Sequence, residues 1–506
     1  MAVLLLFEMK RQPTNSMTRF PATQLFCTAI FVLFAAAGSR VSAAAAQELL
    51  RGFTASPDPS GSSFQSLLRD TAGNYSLGFL RVNRAQLALA VIHVPSSEAL
   101  WVANPTRLPR WSKATRVLFN GSLVISDPQT GVFWSTQTDG DRVWLNTSNL
   151  EIQKLDASHS ILWQSFYFPS DTLVENQNFT STMSLVSSNG LYCMRLGSDF
   201  IGLYANFNQA SGSGQIYWKH RALEAKADVI DGQGPIYLVL SPDGFLGMYQ
   251  NRSVPVDVQS FSSFQQRGSG ARRVRLEPDG NLRGYFWTGS SWVLDYQAIP
   301  DSDQCELPSA CGSYGLCQQG KGCSCIDNRT DYNSGHCSSS ENNSGDFCGQ
   351  SNNSKYRVVR RNGLELPYKD LMGFEKMGSQ AQCEEACENN CTCWGVVYTN
   401  SSGFCYTLSY PIQTLVAVGD ETKVGYFKVA EGAGKKEMGV GYGVGIGFLC
   451  VAVLSFLVLV GFVVYRLRMK KRGHNGYMEE EENGVGVGPY KDLGSASFRS
   501  IELCQR

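Results

Sequence analysis

The sequence predicts a mainly β protein: two β-domains, a small disulfide-rich stretch and one membrane-spanning helix. Three observations carry this expectation. From Leu49 to about Pro300, short alternating apolar runs such as Tyr75-Ser76-Leu77-Gly78-Phe79 and Ile236-Tyr237-Leu238-Val239-Leu240 are separated by Asn120-Gly121, Asp139-Gly140, Asn189-Gly190, Asp243-Gly244 and Asp279-Gly280. Period-two alternation cut by such dipeptides is the pattern of antiparallel strands in tight hairpins. Twelve of the 16 cysteines fall between Cys305 and Cys405. Val440 to Val464 is 25 residues without a formal charge.

The elements follow in order. Lys10, Arg11 and Arg19 precede the apolar stretch Leu25 to Ala37, and Val41-Ser42-Ala43 offers small residues for cleavage. Residues 1–43 therefore read as a signal peptide. About 250 residues of strand pattern are too many for one small barrel, so they divide into domains at 44–180 and 181–300. An internal repeat accompanies the split. Leu240-Ser241-Pro242-Asp243-Gly244-Phe245-Leu246 is similar to Leu276-Glu277-Pro278-Asp279-Gly280-Asn281-Leu282, with Tyr249 and Tyr285 three residues on. Each copy would build one hairpin.

Cys305, Cys311, Cys317, Cys323, Cys325 and Cys337 lie in 301–340; Cys348, Cys383, Cys387, Cys391, Cys393 and Cys405 lie in 341–429. Such density outside the membrane implies disulfides formed in an oxidising compartment. Twelve cysteines can pair completely, leaving Cys193, which reads as a buried inert thiol. Zinc would call for paired Cys-x-x-Cys ligands, which the sequence lacks. Spacing of four places Cys383, Cys387 and Cys391 on one face of a helix.

Residues 430–439 read as a stalk. The span 440–464 exceeds the roughly 20 apolar residues that a bilayer core of about 30 Å requires. Arg466, Arg468, Lys470, Lys471 and Arg472 hold the tail, 465–506, in the cytoplasm, giving a single-pass type I protein at the plasma membrane with its N-terminus outside. Gly441/Gly445 and Gly443/Gly447 offer close helix approach, hence a homo- or hetero-dimer. All ten N-glycosylation sequons precede the span: Asn74, Asn120, Asn146, Asn178, Asn251, Asn328, Asn342, Asn352, Asn390 and Asn400. The polar tail, with its Glu479–Glu482 run, reads as disordered.

The charge balance of 44 basic against 44 acidic side chains carries no nucleic-acid footprint. His93, His159, His220 and His336 sit in no nucleophile or metal motif and are expected at the surface. No Gly-x-Ser-x-Gly, phosphate loop or kinase motif is present, so neither catalysis nor a metal or other cofactor is expected.

Three segments carry a family resemblance. Trp101-Val102-Ala103-Asn104-Pro105, the run Leu162-Trp163-Gln164-Ser165-Phe166-Tyr167-Phe168-Pro169-Ser170-Asp171-Thr172-Leu173, and Gly280-Asn281-Leu282-Arg283 with Tyr285 resemble signatures of the plant G-type lectin S-receptor-like and S-locus glycoprotein family. Cys311-Gly312-Ser313-Tyr314-Gly315-Leu316-Cys317 and the Cys383-x3-Cys387-x3-Cys391-x-Cys393 pattern are similar to its later modules. The resemblance covers about Leu49 to Val429. It implies two bulb-lectin-like β-prism domains, an EGF-like module and a PAN/apple α+β domain. In the last, it implies pairing of Cys383 with Cys405 and Cys387 with Cys393, and of Cys391 with Cys348 or another upstream cysteine. Asp301-Ser302-Asp303-Gln304-Cys305 is similar to the opening of calcium-binding EGF modules, but nothing downstream completes a site.

Bulb lectins of this kind bind mannose through Gln-x-Asp-x-Asn-x-Val-x-Tyr. Here the corresponding positions are Glu277, Asp279, Asn281, Arg283 and Tyr285, with glutamate for glutamine and arginine where valine would touch the sugar ring. Ser241, Asp243, Phe245, Gly247 and Tyr249 depart further, and after Gln153 the aspartate, Asp156, comes one residue late. These are degenerate sugar-site candidates. The resemblance implies a kinase-less receptor-like glycoprotein that recognises an extracellular protein, peptide or glycan and acts through a receptor kinase. A wall-binding adhesion protein or a ligand decoy is the alternative.

Overall fold

The computed structural model describes residues 46–61, 63–207, 214–222, 235–250, 253–265, 270–328, 330–333, 335–337, 347–348, 356–430 and 453–468. The signal segment, Asn251, Asn342, Asn352, most of the stalk, residues 440–452 of the expected span and the tail beyond 468 lie outside them. The chain up to Glu431 is one compact unit and the remainder another.

Alternating strands bury one row of side chains and expose the other, so three sheets can close around a shared apolar axis. Two such three-sheet units are present, with the same nested topology. In the first, the short strands Glu48–Leu50, Phe53–Ala55 and Phe64–Arg69 come first. Each then becomes the edge of a four-stranded antiparallel sheet, in reverse order. Tyr75–Arg81, Leu87–His93 and Glu98–Val102 join the third; Arg116–Phe119, Leu123–Asp127 and Gly131–Ser135 the second; Arg142–Asn146, Asn149–Gln153 and Ile161–Gln164 the first. Leu77, Phe79, Val117, Phe119, Val143 and Ile152 meet in one core.

The second unit repeats the scheme with Thr172–Val174, Asn178–Phe179 and Leu185–Val186 as edges. Its first two edge strands precede Ser181, so the unit begins at Thr172 rather than at the expected 181. Sequence pattern missed this because a two- or three-residue strand has no readable period. The Leu240 and Leu276 repeats are hairpins of two sheets within this one unit, with Gly244 and Gly280 at φ +86° and +90°. The repeat therefore marks sheets inside a unit, not two domains. Cys193, on Tyr192–Leu196, is buried and burial pushes its thiol up.

The cysteine-rich region follows without a physical break. Disulfides join Cys305–Cys317, Cys311–Cys323 and Cys325–Cys337, then Cys348–Cys391, Cys383–Cys405 and Cys387–Cys393. Gly315–Gln318, from the expected EGF-like segment, runs parallel to Leu415–Ala417 in one sheet, so 301–340 and 341–429 are not separate bodies. A five-stranded sheet orders Tyr356–Asn362, Lys423–Ala430, Gly395–Thr399, Phe404–Leu408 and Glu375–Lys376. Helix Gln380–Glu388 packs on it with Cys383 and Cys387 buried. One core runs from Leu173 through Leu316 to Val429, uniting the second three-sheet unit with the cysteine-rich region.

In the C-terminal unit, residues 453–468 are helical. Among the described residues, no helix is long and apolar enough to cross a membrane.

Candidate functional site

On the Arg272–Leu276/Leu282–Trp287 hairpin, the expected sugar positions are occupied by each other. Tyr285 Oη donates to Glu277 Oε1 at 2.6 Å, and Arg283 pairs with Asp279 at 2.6 Å. Burial and the Glu277 carboxylate push the Tyr285 hydroxyl up, so it stays a donor. Asn281 is buried. Its Nδ2 donates to Ile299 O at 2.7 Å and its Oδ1 accepts Ile299 N–H at 3.1 Å. Asn281 thus clamps the exit into the cysteine-rich region, and a carboxamide with both ends used has little left for a sugar hydroxyl. A cleft of about 270 Å³ remains beside Asp279 and Arg283.

The other two candidates are equally self-satisfied. Asp243 N–H donates to Ser241 Oγ at 3.2 Å, and Tyr249 stacks on Tyr237 at 5.5 Å. Gln153 accepts from Arg142 Nε at 2.9 Å and donates to Glu151. Asp156 accepts from Ser158 and Ser160, which draws its carboxyl down to about 2.

The resemblance motifs prove structural. Trp101, Trp134 and Trp163 stand on the last strands of the three sheets of the first unit, with ring centroids 5.6–5.9 Å apart. Trp163 stacks on Phe168 at 5.5 Å, and Trp101 Nε1 donates to Phe168 O at 2.8 Å. Leu150 N–H donates to Ser165 Oγ at 2.9 Å, and Gln177 Nε2 to Phe166 O at 2.9 Å. The 162–173 segment therefore plugs the first unit and hands the chain to the second.

The joint between the units went unread in the sequence. Along Arg272–Leu276, period two sends Arg272, Val274 and Leu276 inward and Arg273 and Arg275 toward the first unit. Arg273 and Arg275 both pair with Glu98, and Arg275 also donates to Ala99 O. Arg273 lies over Trp292 at 4.3 Å. His93, expected at the surface, is buried at this joint, 5.0 Å from Trp287 and 5.3 Å from Trp292. Burial, then Arg273, lowers its pKa. Three arginines in a strand otherwise built of core residues were the available signal, since buried guanidinium groups require partners.

The sulfurs of Cys311, Cys317 and Cys323 converge within 4.8 Å. Each belongs to a disulfide, so none offers a thiolate to a metal. Of the ten sequon asparagines, the seven among the described residues are all exposed.

Two lectin-like units ahead of a disulfide-held region define the class of the protein, a tandem lectin-like S-domain. The D-mannose binding lectin family matches residues 99–192, and the S-locus glycoprotein domain matches residues 246–329. A PAN domain-containing protein of Arabidopsis thaliana is 51% identical over 97% of this chain and 99% of its own length. A G-type lectin S-receptor-like serine/threonine-protein kinase of the same plant is 26% identical over 82% of this chain, which spans 52% of that relative's length. Among solved structures, the fetuin-binding two-domain lectin of Scilla campanulata is 17% identical over 48% of this chain and 98% of its own, with a TM-score of 0.19. The chain belongs to the plant G-type lectin S-receptor-like and S-locus glycoprotein family.

Proposed function

We propose that the chain is a type I membrane glycoprotein that recognises an extracellular ligand and signals through a partner receptor kinase, with no catalysis of its own. The observation that carries this is the recognition ectodomain aligned to receptor kinases over 82% of the chain. The relative matched over 99% of its own length supports action without an attached kinase. The uncharged 25-residue run Val440 to Val464, with basic residues behind it, supports the anchor and its orientation. Exposure of the described sequon asparagines supports glycosylation of the head. The sugar-binding adhesion alternative is disfavoured at the hairpins, where the candidate residues bond to one another.

Affinity purification of the tagged full-length protein from plant-cell membranes tests the reading. A receptor kinase with the same ectodomain type should be recovered, and deleting residues 440–464 should release the protein from the membrane fraction. Recovery of no kinase across tissues and elicitor treatments would overturn the signalling role.

A further inference from the structure

Among the described disulfides, Cys348–Cys391 differs from the rest. Both of its cysteines are exposed, whereas every other bridge has at least one buried. It also closes the longest interval, a sequence separation of 43 against 22 or fewer elsewhere. Exchange requires an attacking thiolate to reach a bridge sulfur, so an exposed bridge is the labile one.

This bridge fastens a cover over a buried charge. Cys391 sits in the turn after helix Gln380–Glu388, where Asn390 Oδ1 accepts from Thr392 N–H at 2.9 Å and from Thr392 Oγ1 at 2.8 Å. The bridge holds Phe347 against that turn, and Phe347 N–H donates to Cys391 O at 3.2 Å. The Phe347 ring lies 4.8 Å from Trp394 and 5.2 Å from Tyr356. Beside these rings is Lys428, only 1% exposed. Its Nζ stands 5.6 Å from the Phe347 centroid and 5.2 Å from the Tyr356 centroid, and donates to Cys387 O and Asn390 O. Aromatic faces attract an ammonium, so Phe347 stands where water would otherwise solvate Lys428. With the bridge open, the bond to Cys391 O and the ring contacts alone would hold Phe347 among the described residues. Cys383–Cys405 and Cys387–Cys393, all buried, would still fasten the helix to its sheet.

We propose that Cys348–Cys391 is a reversible thiol-exchange site whose opening lifts Phe347 off Lys428. A thiolate attacks one bridge sulfur. The S–S bond breaks, a mixed disulfide forms, and the other cysteine leaves as a thiolate that takes a proton from water. A second thiol attacks the mixed disulfide and releases the remaining cysteine. Two thiols are thereby oxidised to one disulfide, and the bridge gains two electrons and two protons. The thiols have two sources: a small thiol such as glutathione, or a dithiol protein of the thioredoxin class. The site is independent of kinase recruitment, so its failure leaves the receptor reading untouched.

The test uses full-length protein purified in detergent from plant membranes, with its existing thiols blocked by N-ethylmaleimide. It is exposed without denaturant to glutathione or to reduced thioredoxin. Newly formed thiols are trapped with iodoacetamide, exposed amines are acetylated, and both are located by peptide mass. Cys348 and Cys391 should open about tenfold faster than any other bridge. Lys428 should become acetylated in step, with the near-ultraviolet dichroism of the head retained. Opening by thioredoxin but not by glutathione would assign the source to a protein dithiol; opening by glutathione would admit the small thiol. Phe347→Ala should expose Lys428 with the bridge closed, and Cys348→Ser/Cys391→Ser should expose it with no thiol added. Opening by neither reagent, opening no sooner than the other bridges, loss of the dichroism together with the bridge, or a Lys428 still protected once the bridge is open would each overturn the proposal.

Discussion

At the scale of single residues, burial decides which polar contacts matter. Arg272 and Asp295 face each other at 2.7 Å with side chains 1% and 6% exposed. Breaking a buried pair by removing one partner strands the other charge, at a cost of about 3–5 kcal/mol. Asp295→Ala should therefore lower unfolding free energy by that amount in chemical denaturation. Arg283→Ala breaks a partly exposed pair with Asp279 and should cost less than about 1 kcal/mol. Asn281→Ala loses both bonds to Ile299 and leaves a buried peptide group unpaired, so about 1–3 kcal/mol should go. If Asn281 were held for a sugar instead, Asn281→Ala would leave stability untouched. The Asp279-Gly280-Asn281 turn was readable in the sequence, as was the loss of glutamine and valine from the sugar motif. That Asn281 had turned inward was not, because its partner Ile299 lies on a segment that pairs with nothing in regular register.

At the scale of elements, helix Gln380–Glu388 has nine residues, too few to stand alone in water. Ser379 caps its start, with Gln382 N–H donating to Ser379 Oγ at 3.4 Å. Lys428 is buried at its other end and donates to Cys387 O at 2.8 Å and Asn390 O at 3.1 Å, with burial lowering its pKa. Disulfides tie its buried face to Cys405 and Cys393. Replacing Cys383 and Cys405 together by serine opens a loop of sequence separation 22 and should cost about 2–4 kcal/mol. Hydrogen exchange should accelerate in this helix before it does in Lys423–Ala430. Spacing of four made the helix face legible for Cys383 and Cys387, but Cys391, expected on the same face, lies past the C-cap Asn389 in the exposed turn that follows, because the helix ends at Glu388. The hairpins were legible too, from turn dipeptides and alternation. The edge strands Thr172–Val174, Asn178–Phe179 and Leu185–Val186 were not, since two or three residues show no period, and the partners of the first two lie far along the chain.

At the scale of the molecule, two joints behave differently. The first is held by polar and aromatic contacts around His93, whose folded pKa is lowered from 6.5. As pH falls below 6.5, the unfolded chain takes up this proton before the folded one, so stability drains away on acidification. Glu98 opposes the shift, while burial and Arg273 drive it. Thermal midpoints should thus fall between pH 7 and pH 5 (roughly the range over which an ordinary histidine titrates) by more in the native protein than in His93→Gln. Equal slopes would remove His93 as the cause.

The second joint has no seam. The first unit owns a self-contained core that includes Trp101, Trp111 and Trp163, and the 162–168 segment completes it. The second unit shares its core with Leu316, Tyr368, Tyr410 and Val429, and Phe207 packs on Tyr410 at 5.7 Å. Within the cysteine-rich region itself, Tyr314 Oη donates to Lys428 O at 3.1 Å and ties 301–340 to 341–429. Composition pointed to a boundary near residue 300, where cysteines begin, because cysteine content is visible in a sequence and shared burial is not. Since apolar burial dominates folding free energy, cutting through a shared core exposes it at about 25 cal/mol per Å². A fragment of residues 46–170 should therefore fold, with cooperative unfolding and a near-ultraviolet tryptophan signal. A fragment of residues 172–300 should not, whereas 172–430 should, given oxidising conditions. Cooperative unfolding of 172–300 alone would show that the cysteine-rich region merely docks on a finished domain.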